Sequence, residues 1–305
     1  MLKKLLSQTY LITTVAALLA GLFIPSAAAL VAWNTLILQT IFFISCLKIE
    51  PRTVLTHLKD WRLLFFANAV MLVVFPLVVW ALGIIWHSDF GFALFLLAAM
   101  PVGMTAPLLV EVAGGLQSVA MVLTVTTSIL APVTIPLLTK LLYGARINVD
   151  AVGMFKQLAL VIFVPFVLAV VLKAVWPRGI NKIKNGTKTP SIILLGLLIA
   201  GAVAKQAPAI LAETSHLANF ASVIAGLYLF YLALHLAGYY GFWWKKREMK
   251  QTTSIALTYM NFTLAIFLAN QFFPRPGTIL PLVFSIIPWA TFMPVWQKIS
   301  KRFIK

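Results

Sequence analysis

The stretch AAMPVGMTAPLLVEVAGG, residues 98–115, decides how the rest of the sequence is interpreted. It is apolar enough for a membrane, yet it places Pro101, Gly103 and Pro107 within seven residues. Each proline lacks a backbone donor and clashes with the preceding turn, so we expect a helix to break here. Irregular backbone at membrane depth is tolerated only where it lines a cavity inside the protein. The stretch therefore predicts a discontinuous membrane helix beside a solute-binding cavity.

The composition of the whole chain indicates a membrane protein. Of the 305 residues, 62% are hydrophobic and only 10% are charged, and the mean hydropathy is +0.99. A soluble protein needs more charge to cover its surface, so a soluble fold is excluded. The apolar residues form blocks of about 20, the length of a helix that crosses a bilayer. Because every backbone N–H and C=O must be paired inside lipid, the predicted fold class is an all-α membrane protein.

Polar breaks between the hydrophobic blocks divide the sequence into ten predicted transmembrane helices. They lie approximately at residues 9–25, 29–47, 63–86, 90–112, 117–143, 153–176, 190–207, 217–243, 252–272 and 277–297. The first has an alternative interpretation, because Lys3, Lys4, the apolar run and SAAA at 26–29 also fit a signal peptide. The apolar run is long for a signal peptide, so an uncleaved first span is favoured. Cleavage would leave nine spans.

The basic residues orient these spans. With ten spans, both termini and every second loop lie on one side of the membrane, and that side holds nineteen of the 24 lysines and arginines. The other side holds only five, Lys140, Arg146, Lys156, Lys205 and Arg275. The positive-inside rule therefore predicts cytoplasmic N- and C-termini, in a bacterial inner membrane. Because the basic residues flank hydrophobic blocks, the net charge of +17 is a topology signal, and nucleic acid is not an expected partner.

Two halves of five spans, residues 1–148 and 149–305, are predicted to form inverted repeats within one transmembrane domain. Because five is odd, equivalent halves enter the membrane in opposite directions, as in many secondary transporters. Ser128 in the fifth span and Ser285 in the tenth each precede two prolines. The alternative is that membrane helices often contain serine and proline. The ninth span, TTSIALTYMNFTLAIFLAN at 252–270, is the counterpart of the fourth.

The fourth and ninth spans resemble segments of the bile acid:sodium symporter family. PVGMTAPLLVEVAGG, followed by SVAMVLTVTTSILAPVTIPLL at 118–138, aligns with the family's Gly-Gly-Thr-Ala-Ser-Asn crossover segment and the helix after it. SIALTYMNFTLA at 254–265 aligns with the family's Ser-Ile-Glu-Val-Gly-Met-Gln-Asn-Ser-Gly-Leu-Ala. The resemblance implies a core domain that moves against a panel domain, with discontinuous helices four and nine crossing at the binding site. It also implies a secondary transporter of organic anions.

The residues at the family's sodium positions depart from its pattern. Those positions fall on Met71, Ala106, Pro107, Ala256 and Met260. Sodium needs several oxygen ligands, which methyl and thioether groups do not provide. We therefore expect no sodium at these positions, no other metal and no cofactor.

Seven residues are the candidates for the substrate cavity, because they lie at or beside the predicted crossing. They are Thr105, Pro107, Thr124, Ser128, Thr258, Asn261 and Thr263. The expected partners are the lipid bilayer and a small organic anion or amphipathic carboxylate. The substrate class is implied by the resemblance alone. The sequence leaves the oligomeric state open.

Ionisable side chains within a span are functional candidates, because burying them is costly. Glu111 and His235 are the candidates for proton coupling. The alternatives are a Glu111 solvated at the cytoplasmic interface and a His235 that is a hydrogen-bonded structural residue.

The sequence is compared with three classes of function: a transporter, a membrane sensor and an intramembrane enzyme. A secondary transporter is favoured. Its rivals are an efflux carrier for another solute on the same fold and a membrane sensor that does not transport. An intramembrane enzyme needs paired aspartates, a Ser/His pair or a histidine–glutamate cluster within the spans. The four histidines are scattered and Glu111 is the one clear acid within a span, so an enzyme is not expected.

Overall fold

A computed structural model of the protein describes residues 2–47, 61–83, 89–183, 186, 188–213 and 217–302. The predicted loop residues 48–60 and 214–216 and the end of the third predicted span, at 84–86, lie outside these residues. The helices are α1 (Leu2–Phe23), α2 (Asn34–Leu47), α3 (Trp61–Ala69), α4 (Phe75–Gly83), α5 (Asp89–Ala99), α6 (Ala106–Val112), α7 (Gln117–Tyr143), α8 (Ala151–Val175), α9 (Pro177–Ile183), α10 (Lys188–Glu213), α11 (Leu217–Tyr240), α12 (Arg247–Thr258), α13 (Phe262–Phe272), α14 (Pro276–Phe284) and α15 (Ile286–Arg302). A 3-10 helix, Pro25–Trp33, precedes α2.

The predicted spans correspond to these helices in three ways. In the described part of the chain, seven continuous helical stretches are long and apolar enough to cross a membrane, and each matches one predicted span. The fourth and ninth predicted spans are each divided into two helices, α5 with α6 and α12 with α13. Helix α1 covers the first predicted span except for its last two residues, since α1 ends at Phe23. The all-helical fold class is therefore confirmed for the described residues, and the inverted repeat stays a prediction.

The third span contains an irregular turn. A π-helix, Val70–Val74, joins α3 to α4, and the N–H of Phe75 donates to the carbonyl oxygen of Val70. Pro76 follows directly and has no N–H for the preceding turn, which is why the regular hydrogen-bond ladder changes here. Met71 and Leu72 in this turn are buried against other helices, whereas Val73 and Val74 are exposed on the outside of the bundle.

The two divided spans lie at the centre of the bundle. Every residue at 91–99 in α5 and at 251–258 in α12 is buried. In α8, by contrast, apolar side chains such as Val164, Val167 and Val171 are about half exposed. Lipid tails are as apolar as these side chains, so an apolar outer surface carries no penalty in a bilayer. The central position of α12 therefore distinguishes it from a peripheral helix such as α8.

Helix α12 is polar and nevertheless buried, because neighbouring helices supply hydrogen-bond partners. Thr253 Oγ1 donates to the carbonyl oxygen of Gly238 in α11 at 2.7 Å. Trp296 Nε1 in α15 donates to Gln251 Oε1 at 3.2 Å. Buried polar groups are tolerated when they are paired in this way. These bonds fix the position of α12 relative to α11 and α15.

The ends of the helices gather at two opposite ends of the bundle. Gly83, Asp89 and Arg275 surround one pocket at the first end. Val112 and Ser300 lie beside another pocket at the opposite end. This grouping agrees with the alternating direction of the predicted spans around the two breaks.

Candidate functional site

The fourth span is interrupted where the sequence predicts it. Helix α5 ends at Ala99 and α6 begins at Ala106, so residues 100–105 are not helical. Pro101 stands in this gap and Pro107 occupies the first turn of α6, where a missing N–H costs least. The predicted discontinuous helix is confirmed.

The ninth span is interrupted although it contains neither proline nor glycine. Helix α12 ends at Thr258 and α13 begins at Phe262. Asn261 caps α13, because its Oδ1 accepts the N–H of Leu264 at 3.2 Å. The same oxygen accepts the hydroxyl of Thr263 at 2.6 Å. An Asn side chain satisfies orphan donors at a helix start, so Asn261 begins a new helix inside the membrane.

The two interruptions are hydrogen-bonded to each other through their backbones. The N–H of Gly103 donates to the carbonyl oxygen of Tyr259 at 2.8 Å, and the N–H of Asn261 donates to that of Pro101 at 2.8 Å. Between them, Val102 and Met260 form an antiparallel β-bridge. The breaks free these backbone groups from their helices, and the bridge pairs them again. They are therefore not available as solute ligands.

The missing side chain of Gly103 and the hydroxyl of Thr127 both make this bridge possible. A Cβ atom on Gly103 would lie 2.5 Å from the carbonyl oxygen of Tyr259, so only glycine allows the strands to come this close. Thr127 Oγ1 on α7 accepts the N–H of Val102 at 3.1 Å and donates to the carbonyl oxygen of Leu123 at 2.6 Å. The bridge is thus attached to α7 by Thr127.

A cavity of about 110 Å³ lies beside the bridge. Its walls come from both interruptions and from α2, α10 and α15. The residues that line it are Ile41, Phe42, Ser45, Gly103, Met104, Thr105, Ser191, Leu195, Met260, Asn261, Phe262, Thr263 and Trp289. Three of the predicted cavity residues, Thr105, Asn261 and Thr263, therefore line the same cavity.

The cavity is mostly apolar, with a few polar groups and no charge. None of the described residues that line it has an ionisable side chain. Helix α13 begins at the cavity wall, and a helix N-terminus carries a partial positive charge of about half a unit. Both hydrogen bonds of the Asn261 side chain involve Oδ1 as acceptor. The Nδ2 group of Asn261 therefore keeps its donors, and with the start of α13 it forms the electropositive part of the cavity wall.

The other four predicted cavity residues do not line this cavity. Pro107 is buried in the first turn of α6. Thr124 Oγ1 donates to the carbonyl oxygen of Ala120 at 2.9 Å, and Thr258 Oγ1 donates to that of Ser254 at 2.8 Å. Ser128 is buried, and its hydroxyl has no hydrogen-bond partner among the described residues. The two threonine hydroxyls are satisfied within their own helices, which is why they do not turn toward a solute.

The positions that correspond to the family's sodium ligands are buried and apolar. They are Met71, Ala106, Pro107, Ala256 and Met260. Asn261, the amide next to Met260, already uses its carbonyl oxygen to cap α13. Among the described residues, no group of three or more histidine, cysteine, aspartate or glutamate side chains is placed to hold a metal ion. The side chains at the five family positions themselves offer no oxygen ligand to a sodium ion.

Neither candidate for proton coupling lines the cavity. Glu111 is exposed on α6. His235 is completely buried, with its Nδ1 3.0 Å from Ser254 Oγ, and its ring stacks on Trp296 with centroids 4.4 Å apart. His235 is thus hydrogen-bonded and stacked inside the bundle, whereas Glu111 lies on the outer surface of the described protein.

Sequence reasoning missed several polar residues of this region. Ser45 on α2, Ser191 on α10 and Trp289 on α15 line the cavity. Asn68 is buried one turn before the π-helix, and its Nδ2 donates to Thr126 Oγ1 at 3.0 Å. The sequence does show each of them as a polar or amphipathic residue within an apolar span. Their convergence, however, depends on how distant helices pack.

Comparison with known proteins gives a family and several relatives. A sequence model of the SBF-like CPA transporter family matches residues 8–287, which include both interrupted spans. The probable sodium/metabolite cotransporter BASS5, chloroplastic, of Arabidopsis thaliana is 28% identical over 179 residues, 56% of this chain and 42% of the relative. The protein of the same name from Oryza sativa subsp. indica is 25% identical over 194 residues, 60% of this chain and 47% of the relative. The chain spans about half the length of the curated relatives it matches.

Proposed function

The chain belongs to the SBF-like CPA transporter family, and on that premise we propose that it is a secondary transporter of small organic anions. The family is one of multi-pass membrane transporters and not of enzymes. The observation that supports an anion is the uncharged cavity at the start of α13, where Asn261, Thr263 and Thr105 provide polar groups. A partial positive charge without a neighbouring lysine or arginine stabilises an anion and still lets it leave.

The size of the cavity favours a small carboxylate. Its volume is about 110 Å³, whereas pockets for drug-sized ligands are roughly 300–1,000 Å³. A carboxylate group with a few carbons fits this space, and a steroid acid does not. The carboxylate would accept hydrogen bonds from Asn261 Nδ2 and the Thr105 hydroxyl, while Phe42 and Trp289 would contact the carbon chain.

We further propose that transport is not coupled through the two-sodium site of the bile acid:sodium symporters. The names of the plant relatives indicate sodium cotransport for those proteins. In this chain the five corresponding positions offer methyl, thioether and ring groups, and the Asn261 oxygen caps a helix. Coupling by a proton remains a proposal, for which the contacts of Glu111 and His235 provide no support.

The architecture proposed for this transporter has ten spans in two inverted repeats, residues 1–148 and 149–305, with a core and a panel domain. The two interrupted spans fall at corresponding places in the halves, and their breaks pair with each other. The charge asymmetry favours cytoplasmic termini in a bacterial inner membrane.

Uptake into proteoliposomes tests this function. Purified protein is reconstituted, and uptake of labelled pyruvate and pantothenate is measured with an imposed sodium gradient, an imposed pH gradient, or neither. We expect pyruvate uptake that does not respond to the sodium gradient and that Asn261→Ala abolishes. Asn270→Ala is the matched control, since Asn270 is on the same helix but does not line the cavity.

Each result has a distinct meaning for the proposal. Strict sodium dependence would overturn the coupling proposal and leave transport standing. Absence of uptake for every labelled carboxylate would overturn the transport proposal and favour the sensor. Full uptake by Asn261→Ala would show that the solute path does not pass the cavity beside the bridge.

A further inference from the structure

Two basic residues stand together at the end of the bundle that the charge pattern predicts to face away from the cytoplasm. Only five lysines and arginines belong to that side. Two of them, Arg146 after α7 and Arg275 before α14, line the same pocket. The positive-inside rule disfavours basic residues in short loops on this side. Their convergence at one pocket therefore suggests a ligand of opposite charge.

The pocket is separate from the cavity beside the bridge and is large enough for a ligand. Its volume is about 400 Å³, within the usual range of roughly 300–1,000 Å³ for small-molecule sites. The ends of α4, α5, α7 and α13 and the start of α14 form its walls, and no residue lines both cavities. Helix ends from distant parts of the chain thus build one concave surface.

Aromatic rings form an apolar wall of this pocket. The rings of Phe92 and Tyr143 meet edge to face with centroids 4.7 Å apart, and those of Phe92 and Phe273 do so at 4.9 Å. Trp80 also lines the pocket. Interlocked rings of this kind hold a fixed shape and present an apolar surface. The wall suits a ligand with an aryl or alkyl body.

The guanidinium groups retain unused hydrogen-bond donors. Arg275 Nη1 lies 3.6 Å from Asp89 Oδ1, and the two side chains are 59% and 43% exposed. So long and exposed a pair contributes little. Within the described residues, Arg146 makes no ion pair. A guanidinium presents a planar fork of donors that matches the two oxygens of a carboxylate. Arg146 and Arg275 together outweigh the single negative charge of Asp89, so the pocket favours an anionic ligand.

A buried hydroxyl in the pocket wall also lacks a partner. Thr278 on α14 lines the pocket and is fully buried, and its Oγ1 has no hydrogen bond within the described protein. Buried hydroxyls are nearly always paired, so Thr278 leaves an unsatisfied polar group in the pocket wall. Because its oxygen has almost no accessible surface, a ligand in the pocket would reach it only if the Thr278 side chain turned.

We propose that this pocket is a second anion site, which binds a small aromatic or branched carboxylate between Arg146 and Arg275, with its apolar body on the Phe92, Tyr143 and Phe273 rings. Asp89 limits the affinity, because it holds a negative charge beside the same guanidinium. The site goes beyond the proposed transport function and does not rest on it, since binding here requires no passage through the membrane.

Binding of benzoate to the full chain in phosphatidylcholine nanodiscs tests the site. Saturation-transfer NMR gives the dissociation constant, and benzyl alcohol serves as the uncharged analogue. We expect Arg146→Ala and Arg275→Ala each to weaken benzoate binding by about tenfold, the loss of one charge-assisted contact. Asp89→Asn should strengthen it by about threefold, since a repulsive charge is removed. Lys156→Ala, a charge removal on the same predicted face outside the pocket, should leave it unchanged.

The outcomes separate this site from the cavity beside the bridge. If Arg146→Ala, Arg275→Ala and Asp89→Asn all bind benzoate like the wild type, or if benzyl alcohol binds equally well, the second site is overturned. If Asn261→Ala abolishes binding while the arginine variants retain it, benzoate occupies the inner cavity, and the second site fails while the transport proposal stands. Should an arginine variant unfold, the gain expected for Asp89→Asn in folded protein still decides the matter.

Discussion

The two interrupted spans reach the same geometry by different means. In the first, Pro101, Gly103 and Pro107 interrupt the helix through their own backbone limits. In the second, residues 252–270 contain no proline and no glycine, and the break depends on the Asn261 cap and on the bridge to the first span. The first break is therefore a local property of its sequence, whereas the second is imposed by its partner.

The largest effect is expected for Gly103→Ala, which pushes the two breaks apart. The new Cβ would lie 2.5 Å from the carbonyl oxygen of Tyr259, so the bridge is lost together with its paired backbone groups. We expect a destabilisation above about 3 kcal/mol, because overpacking and unpaired buried groups add. Thermal unfolding in detergent and recovery of monodisperse protein measure it.

Gly114→Ala is the matched control for that substitution. Gly114 has a φ of 78° but nothing within 4 Å of its Cβ position, so only backbone strain of about 1 kcal/mol is expected. Equal losses in the two variants would contradict a special role for the close approach at Gly103.

A smaller effect is expected for Thr127→Val, which removes the attachment of the bridge to α7. The buried N–H of Val102 loses its acceptor at 3.1 Å, and an unsatisfied buried donor costs about 1–3 kcal/mol. Thr127→Ser keeps the hydroxyl and should restore most of the thermal stability. Thr134→Val serves as the control, since Thr134 bonds only a carbonyl of its own helix. A Thr127→Val protein as stable as Thr127→Ser would show that the bridge needs no support from α7.

The Asn261 cap can be separated from the Asn261 amide by two substitutions. Asn261→Ala removes the cap of α13 and should cost about 1–2 kcal/mol. Asn261→Asp keeps the acceptor for the Leu264 N–H, so stability should recover, but its negative charge in the cavity should still prevent anion uptake. Thermal unfolding and pyruvate uptake are measured on both proteins. Recovery of uptake along with stability in Asn261→Asp would contradict an anionic substrate.

The smallest effect is expected for His235→Phe. The phenyl ring retains the stacking on Trp296 and loses the contact with Ser254 Oγ, so less than about 1 kcal/mol should be lost. Uptake measured between pH 5 and 8 should keep its wild-type profile. Loss of a pH-dependent component in this variant would restore His235 as a coupling residue.

The sequence predicted the parts of this molecule that depend on local chemistry. The membrane helices and the break at Pro101 follow from apolar block length and from the missing N–H of proline. Thr124 and Thr258 do not line the cavity beside the bridge, because each donates its hydroxyl to the preceding turn of its own helix, and sequence does not reveal this choice. Ser45 and Ser191 were missed because only tertiary packing brings α2 and α10 to the breaks.

The backbone bridge between the two breaks has a mechanical consequence. Hydrogen bonds of 2.8 Å fasten Gly103 to Tyr259 and Asn261 to Pro101 in a region where no water replaces them. We therefore expect the two interrupted spans to move together, so that no access route opens by separating them. Entry and exit of a solute would instead require the cavity walls on α2 and α10, at Ser45 and Ser191, to shift relative to that piece.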